Sequence, residues 1–335
     1  MKKFIVLLLI VILVVTSLFS LTACTPPEEL RIIVNMQDEW KIVTNTSVEG
    51  YPQAGVILTP DMYNDANVVN DLYAKLSEND EYILNNPDEV DALLTAKGSI
   101  LASSTVLTRD VIARCNTNTL RASDVYERLC SYYTAMDTPI PDSSMVNLPV
   151  TSSTASTDPI NIYVPDGAPA LAMASLMKEG ATVGGRQVNV TISTGGVVKT
   201  ALLTGQADIV ILPTTACANL FNQGKDIKLH SVTTWGILYL VGQEANGIED
   251  LVGEVVYSIG RDDTPGKLLR KYLEHYDIQY VESQTPVEGK VAITYVEDAS
   301  YVITNLKAGS VKFALLGEPA VSNVLGIRAK NNENQ

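Results

Sequence analysis

The sequence is poor in the side chains that most often carry chemistry. It holds two histidines and four cysteines among 335 residues. His230 and His275 have no partner at metal-ligand spacing, which removes the usual zinc patterns. There is no Gly-x-Ser-x-Gly elbow and no suggested Cys–His pair, so a hydrolase-type nucleophile has no signature here. Neither Gly-x-Gly-x-x-Gly nor a Gly-Lys-Ser/Thr ending occurs, which leaves no dinucleotide or P-loop fingerprint and no cofactor to expect. Positive charge is short as well. With 24 Lys and Arg against 38 Asp and Glu the net charge is −14, and phosphate backbones are bound by clustered cations. No nucleic-acid partner is expected. Aromatic content is 6%, most of it tyrosine.

What is present starts at the N-terminus. Lys2 and Lys3 precede an unbroken apolar run, Phe4 to Val15, and a less apolar stretch ends in Leu21-Thr22-Ala23-Cys24. Charge, apolar core and small residues at a cut are the layout of a secretory signal. A plain transmembrane anchor is the alternative, for which the run is short. Leu-Thr-Ala-Cys resembles the bacterial lipobox. That resemblance implies a signal peptide 1–23, lipidation of Cys24, a tether 24–30, and a protein held at the outer face of the bacterial cytoplasmic membrane. Cys115, Cys130 and Cys217 remain, an odd number. Cys115 and Cys130 could bridge, or all three could be buried thiols.

Length suits two domains. Arg31 to Asn35 and Tyr51 to Leu58 read as strands, and Met62 to about Leu84 carries apolar residues at helical spacing up to the break at Asn85-Asn86-Pro87. Pro87 opens another helix through Leu94, and helices are expected near Ser104–Ala113 and Ala122–Met136. Residues 151–157 are nearly all Ser and Thr, a linker by composition. Strands and helices then alternate. Strands are expected at 160–164, 188–192, 209–212, 237–241, 254–259, 292–296 and 313–316. Helices fall at 169–179, 197–204, 215–222, 267–276 and 299–306. Strands separated by single helices predict an α/β protein with parallel-dominated sheets covered on both faces. The pattern restarts once, which predicts two lobes.

In such sheets ligands sit beyond the carboxyl ends of the strands. Five of those ends carry short loops of small residues. They are Pro165-Asp166-Gly167-Ala168-Pro169, Ser193-Thr194-Gly195-Gly196, Pro213-Thr214-Thr215, Gly260-Arg261-Asp262-Asp263-Thr264-Pro265-Gly266, and Gly317-Glu318-Pro319-Ala320. Helix-start N–H groups favour anionic or strongly polar groups, and glycine lets a ligand approach the backbone. Taken singly, each is also an ordinary strand-to-helix turn. Arg261 is the one strong cation at an expected cleft edge, where it would clamp an anion or pair with Asp262 or Asp263. Trp235, beside Thr234, would stack on a flat ligand or serve the core. Tyr51 and Gln53 offer polar tips.

Asn161 to Ala170 and Leu203 to Thr214 resemble the opening lobe of the ABC-importer solute-binding proteins for nitrate, sulfonates and thiamine-precursor pyrimidines. Gly247-Ile-Glu-Asp-Leu-Val-Gly253 and Phe313-Ala-Leu-Leu-Gly-Glu-Pro-Ala320 resemble later stretches of that family, with Lys312 where an acid is usual. The resemblance implies a type II periplasmic-binding-protein fold with a hinge between the lobes, and no enzymatic activity. It also implies a monomer that binds a small molecule, closes on it and docks on permease subunits. Loops 165–169, 195–196, 213–215 and 260–265, with Glu318, would face the cleft. Residues 31–146 resemble in part the family's C-terminal segment, although here they come first, which reads as a circular permutation. One lobe would then combine 49–146 with 158–236, the other 31–48 with 237–328, and 147–157 would join the family's usual ends. Two readings compete: an enzyme on the same fold acting on a pyrimidine or menaquinone precursor, and a surface lipoprotein with no transport role.

Overall fold

The computed structural model describes residues 29–44, 50–100, 102, 107–148, 156–243, 245–297 and 299–332, with side chains up to 326. The leader 1–23, Cys24 and most of the Ser/Thr stretch lie outside the described residues.

Two sheets organise the chain, and the protein is a two-lobed α/β fold. One has six strands, in the order β1 (Arg31–Asn35), β9 (Leu238–Gly242), β13 (Phe313–Gly317), β10 (Val255–Ile259), β12 (Val291–Val296) and β11 (Tyr280–Glu282). The other has seven, in the order β3 (Thr117–Arg121), β8 (Lys228–Trp235), β2 (Pro52–Leu58), β7 (Ile209–Pro213), β4 (Ile160–Pro165), β6 (Arg186–Ser193) and β5 (Thr182–Val183). In the first sheet β13, β10, β12 and β11 run parallel, as the strand–helix alternation predicts. In the second, parallel pairing is confined to β7, β4 and β6. The departure has a simple cause. A strand entering from the other sheet starts where the parallel strands end, so it must run against them. β2 does so with Ala54 beside Pro213, and β9 does so with Leu238 beside Gly317.

The helices follow from local signals. They are α1 (Met36–Thr44), α2 (Pro60–Tyr63), α3 (Ala66–Asn85), α4 (Pro87–Ala96), α5 (Arg109–Arg114) and α6 (Tyr126–Ala135), then α7 (Ala168–Leu171), α8 (Gly195–Thr204), α9 (Thr214–Asn222), α10 (Thr264–His275), α11 (Ala299–Ala308) and α12 (Ala320–Asn332). The Asp65 carboxylate accepts from the Asn67 and Val68 N–H groups to start α3, and Val68, Leu72, Leu76 and Ile83 form its buried stripe. Central strands β7 and β9 are apolar and buried almost throughout, the pattern of strands covered on both faces.

The chain passes between the sheets from β1 through α1 to β2, and again from β8 to β9. Gly236 makes the second crossing at φ +67°, where a Cβ would lie 2.9 Å from the Tyr51 ring and the Gln37 side chain. One core cluster runs across the crossing, uniting Trp40, Leu240, Leu268, Tyr272 and Phe313 with Tyr51, Tyr132, Leu212 and Trp235. Leu30 packs in a separate cluster with Val321 and Val324 of α12. Cys115, Cys130 and Cys217 are free thiols.

Candidate functional site

All five loops read from the sequence stand where a parallel strand hands over to a helix. At the end of β4 the Asp166 carboxylate accepts from the Ser99 hydroxyl at 2.5 Å, the Ile100 N–H at 2.9 Å and the Gly167 N–H at 2.9 Å. Gly167, at φ +101°, then turns the chain into α7. Ala168 is buried, while Pro165 and Pro169 are half-buried. At the end of β6 Thr194 caps α8, and Gly195 and Gly196 are exposed with open space around them. After β7 the buried Thr214 hydroxyl donates to the Pro52 carbonyl at 2.5 Å, with Pro213 half-buried before it and Thr215 buried after it.

In the six-stranded sheet Gly260, at φ +62°, leads to Arg261, which is exposed. Its guanidinium pairs with Glu282 at 2.7 Å and Asp262 at 3.3 Å. Thr264, at the start of α10, is buried and sits 2.9 Å from the Tyr132 hydroxyl. After β13 the Glu318 side chain has no exposure at all. Its carboxylate accepts from Arg114 Nε at 2.8 Å and from the Ser322 N–H at 3.0 Å and hydroxyl. Arg114 also donates to Ser322 Oγ at 2.6 Å.

Tyr51 is fully buried, its ring stacked on Tyr132 at 5.8 Å and tilted against Trp40 at 5.4 Å. The Gln53 side-chain oxygen accepts from the Ile237 N–H at 3.1 Å and so steadies the crossing. Trp235 is buried, donates from its indole N–H to the Asn118 carbonyl at 2.6 Å, and carries the Arg128 guanidinium 4.1 Å above its ring. Thr234 beside it is buried, and its hydroxyl has no partner among the described residues.

Residues the sequence reading did not single out join the two sheets. Tyr132 of α6 meets Thr264 of α10, Lys267 donates to the Met136 carbonyl at 3.2 Å, and Arg114 of α5 meets Glu318. Burial pushes the Tyr132 phenol well up, so it stays a neutral donor and acceptor. A helix was expected across Tyr132, but helical spacing alone does not say which of Tyr126, Tyr132 and Tyr133 faces the other lobe. Beside this seam lies a pocket of 610 Å³ between α1, α6 and α10, with Trp40, Pro52, Tyr132, Arg128 and Lys271 among its walls.

His230 is sealed in the interior, its Nε2 2.9 Å from the Val69 carbonyl and its Nδ1 3.1 Å from Ser231 Oγ. A carbonyl only accepts, so Nε2 carries the proton. Burial holds its pKa at about 4. Among the described residues no three of His, Cys, Asp and Glu gather as a metal site would require.

No protein-family model and no curated protein matches the chain. Among solved structures the chain is similar to a protein from Parabacteroides distasonis described as an ABC transporter, at 28% identity and a TM-score of 0.42, over 51% of this chain and 55% of that one. The chain spans about half the length of that protein.

Proposed function

We propose that the chain is the extracytoplasmic solute-binding component of an ABC importer, taking a small polar or anionic molecule between its two lobes. The observation that supports this reading is a seam where the loops after β10 and β13, at Thr264 and Glu318, meet α6 and α5 of the other lobe. Two crossings, an apolar core shared across them, and side-chain bonds such as Arg114 to Glu318 and Tyr132 to Thr264 hold that seam together. Such an arrangement opens by rotation about the crossings and closes on a ligand. The lobes in this reading are 49–146 with 158–236, and 31–48 with 237–328. Binding, not catalysis, is the role, and no cofactor takes part. The leader and Cys24 would deliver the protein, as a lipid-anchored monomer, to the outer face of the membrane beside its permease. The segment order reads as a circular permutation, and packing of Leu30 against Val321 and Val324 supports it.

A thermal-shift screen with nitrate, sulfonates, pyrimidines and amino acids tests the reading. A solute at 100 times its dissociation constant adds about 2.7 kcal/mol of stability. Stabilisation by one class is expected. A flat response to every class would overturn the importer role and leave a surface lipoprotein without a solute.

A further inference from the structure

The seam between the lobes has two unlike flanks, and α1 divides them. On one side Gln37, Asp38 and Lys41 border a pocket of 340 Å³, together with Arg114, Asn116 and Tyr239. On the other, Trp40, Val43 and Thr44 border the 610 Å³ pocket, with Tyr132 and Lys271. Residues three and four apart share a helix face, so the two sets mark different faces of α1. Gly50 borders both pockets and lies between the flanks.

Parting the lobes costs different things on the two sides. On the α6 side Trp40 is buried, and Tyr51 and Tyr132 have no exposure. Their three rings pack with centroids 5.4, 5.6 and 5.8 Å apart. Leu268 and Tyr272 of α10 belong to the same core cluster, and the Tyr272 hydroxyl donates to the Met36 carbonyl at 2.6 Å. Aromatic side chains bury ~150–250 Å² each, and the penalty grows with the apolar area returned to water. Separation on this flank is strongly opposed.

On the other flank the lobes meet through an ion pair. The Glu318 carboxylate, with no exposure, accepts from Arg114 Nε at 2.8 Å, while Arg114 is 43% exposed and lines the polar pocket. Parting this flank gives both ions back to water, which replaces much of what the pairing supplies. Closing it strips water from Glu318, and that is tolerable only when Arg114 arrives with it. The polar flank is the one that can open and shut.

We propose that the lobes part on the polar flank alone, with the aromatic flank as the pivot and the Arg114–Glu318 pair as the latch of the solute mouth. The proposal rests on the importer reading and adds to it the edge through which a solute enters.

Spin labels across each flank test it, in a chain with Cys24 and Cys130 replaced by serine. One pair is Asp38→Cys with Asp110→Cys, exposed positions on α1 and α5; the other is Ser131→Cys with Lys271→Cys, on α6 and α10. Arg114→Ala leaves Glu318 without its cation, and is expected to lengthen and broaden the first pair's distances while the second pair's stay as in wild type. Adding Glu318→Gln removes the unpaired charge and is expected to bring the first pair back towards the wild-type distances. Should Arg114→Ala fail to fold in thermal melts, Arg114→Lys, which keeps the charge without the fork, is expected to shift the first pair the same way by less. Lengthening of the second pair, no change in the first, or no recovery in the double variant overturns the proposal. In each of those cases a solute that still raises the wild-type melting temperature leaves the importer reading standing.

Discussion

Glu318 shows how a single side chain can hold two sheets together. A carboxylate with no exposure is tolerable only while its lone pairs are filled, and Arg114 supplies both charge and geometry. Arg114 itself is 43% exposed, so its removal costs less than the loss of a fully buried partner. Arg114→Ala is expected to lower stability by about 2 kcal/mol, read as a shifted urea midpoint. A midpoint unchanged from wild type would mean the pair holds nothing. His230 makes a second prediction at this scale. Its folded pKa of about 4 lies below the ordinary value of 6.5, so the unfolded chain binds the proton first as pH falls. Its contribution is therefore fully present above pH 6.5 and is lost progressively down to pH 4, by about 3 kcal/mol. His230→Gln, which keeps a donor for the Val69 carbonyl, should flatten that part of the stability–pH curve. An equal slope in the variant would assign the pH dependence elsewhere.

At the scale of elements, close backbone approach matters more than propensity. A Cβ on Gly55 of β2 would lie 2.5 Å from the Ser231 carbonyl of β8 and 2.8 Å from a Leu229 methyl. The obstacle is ladder backbone that cannot rotate aside, so Gly55→Ala is expected to cost about 2 kcal/mol or more in thermal or urea unfolding, and a neutral outcome would contradict the register. The α3 stripe and the strands β4, β6, β7, β9, β10, β12 and β13 were legible in the sequence because apolar runs alternate there with helical spacing. Lys228–Trp235 was not. Its His, Ser and Thr residues read as polar, yet β8 is buried over nearly its whole length, with His230 held by the Val69 carbonyl and Ser231 Oγ. The expected helix 169–179 is interrupted: α7 ends at Leu171, and a single 3-10 turn covers Ala174–Met177, packed against α3 through Asn79, which donates to the Leu171 carbonyl. The first part of the expected helix 122–136 is turn, because Ala122 continues the β3 pairing by donating to the His230 carbonyl. Part of the helix expected near Ser104–Ala113 lies outside the described residues, and α5 begins at Arg109 with the Thr108 hydroxyl accepting from the Val111 N–H.

For the molecule as a whole, the loops that could form a cleft were visible one by one, because small residues after a strand mark them. What fills them was not. Ser99, Arg114 and Tyr132 lie far in sequence from Asp166, Glu318 and Thr264, and only the folded chain brings them together. The segment order supplies a prediction of its own. A chain rejoined from Gln335 to about Leu30 and reopened within 147–157 should keep both sheets and the wild-type circular dichroism spectrum, since Leu30 already packs on α12. Failure of that chain to fold would argue against permutation. The central claim is that one solute touches both lobes. Hydrogen exchange, with the protein free and then saturated with the compound that stabilises it most, tests this directly. The account predicts slowed exchange at once in Arg109–Arg114 of one lobe and in Met36–Thr44 of the other. Slowing confined to a single lobe would contradict it.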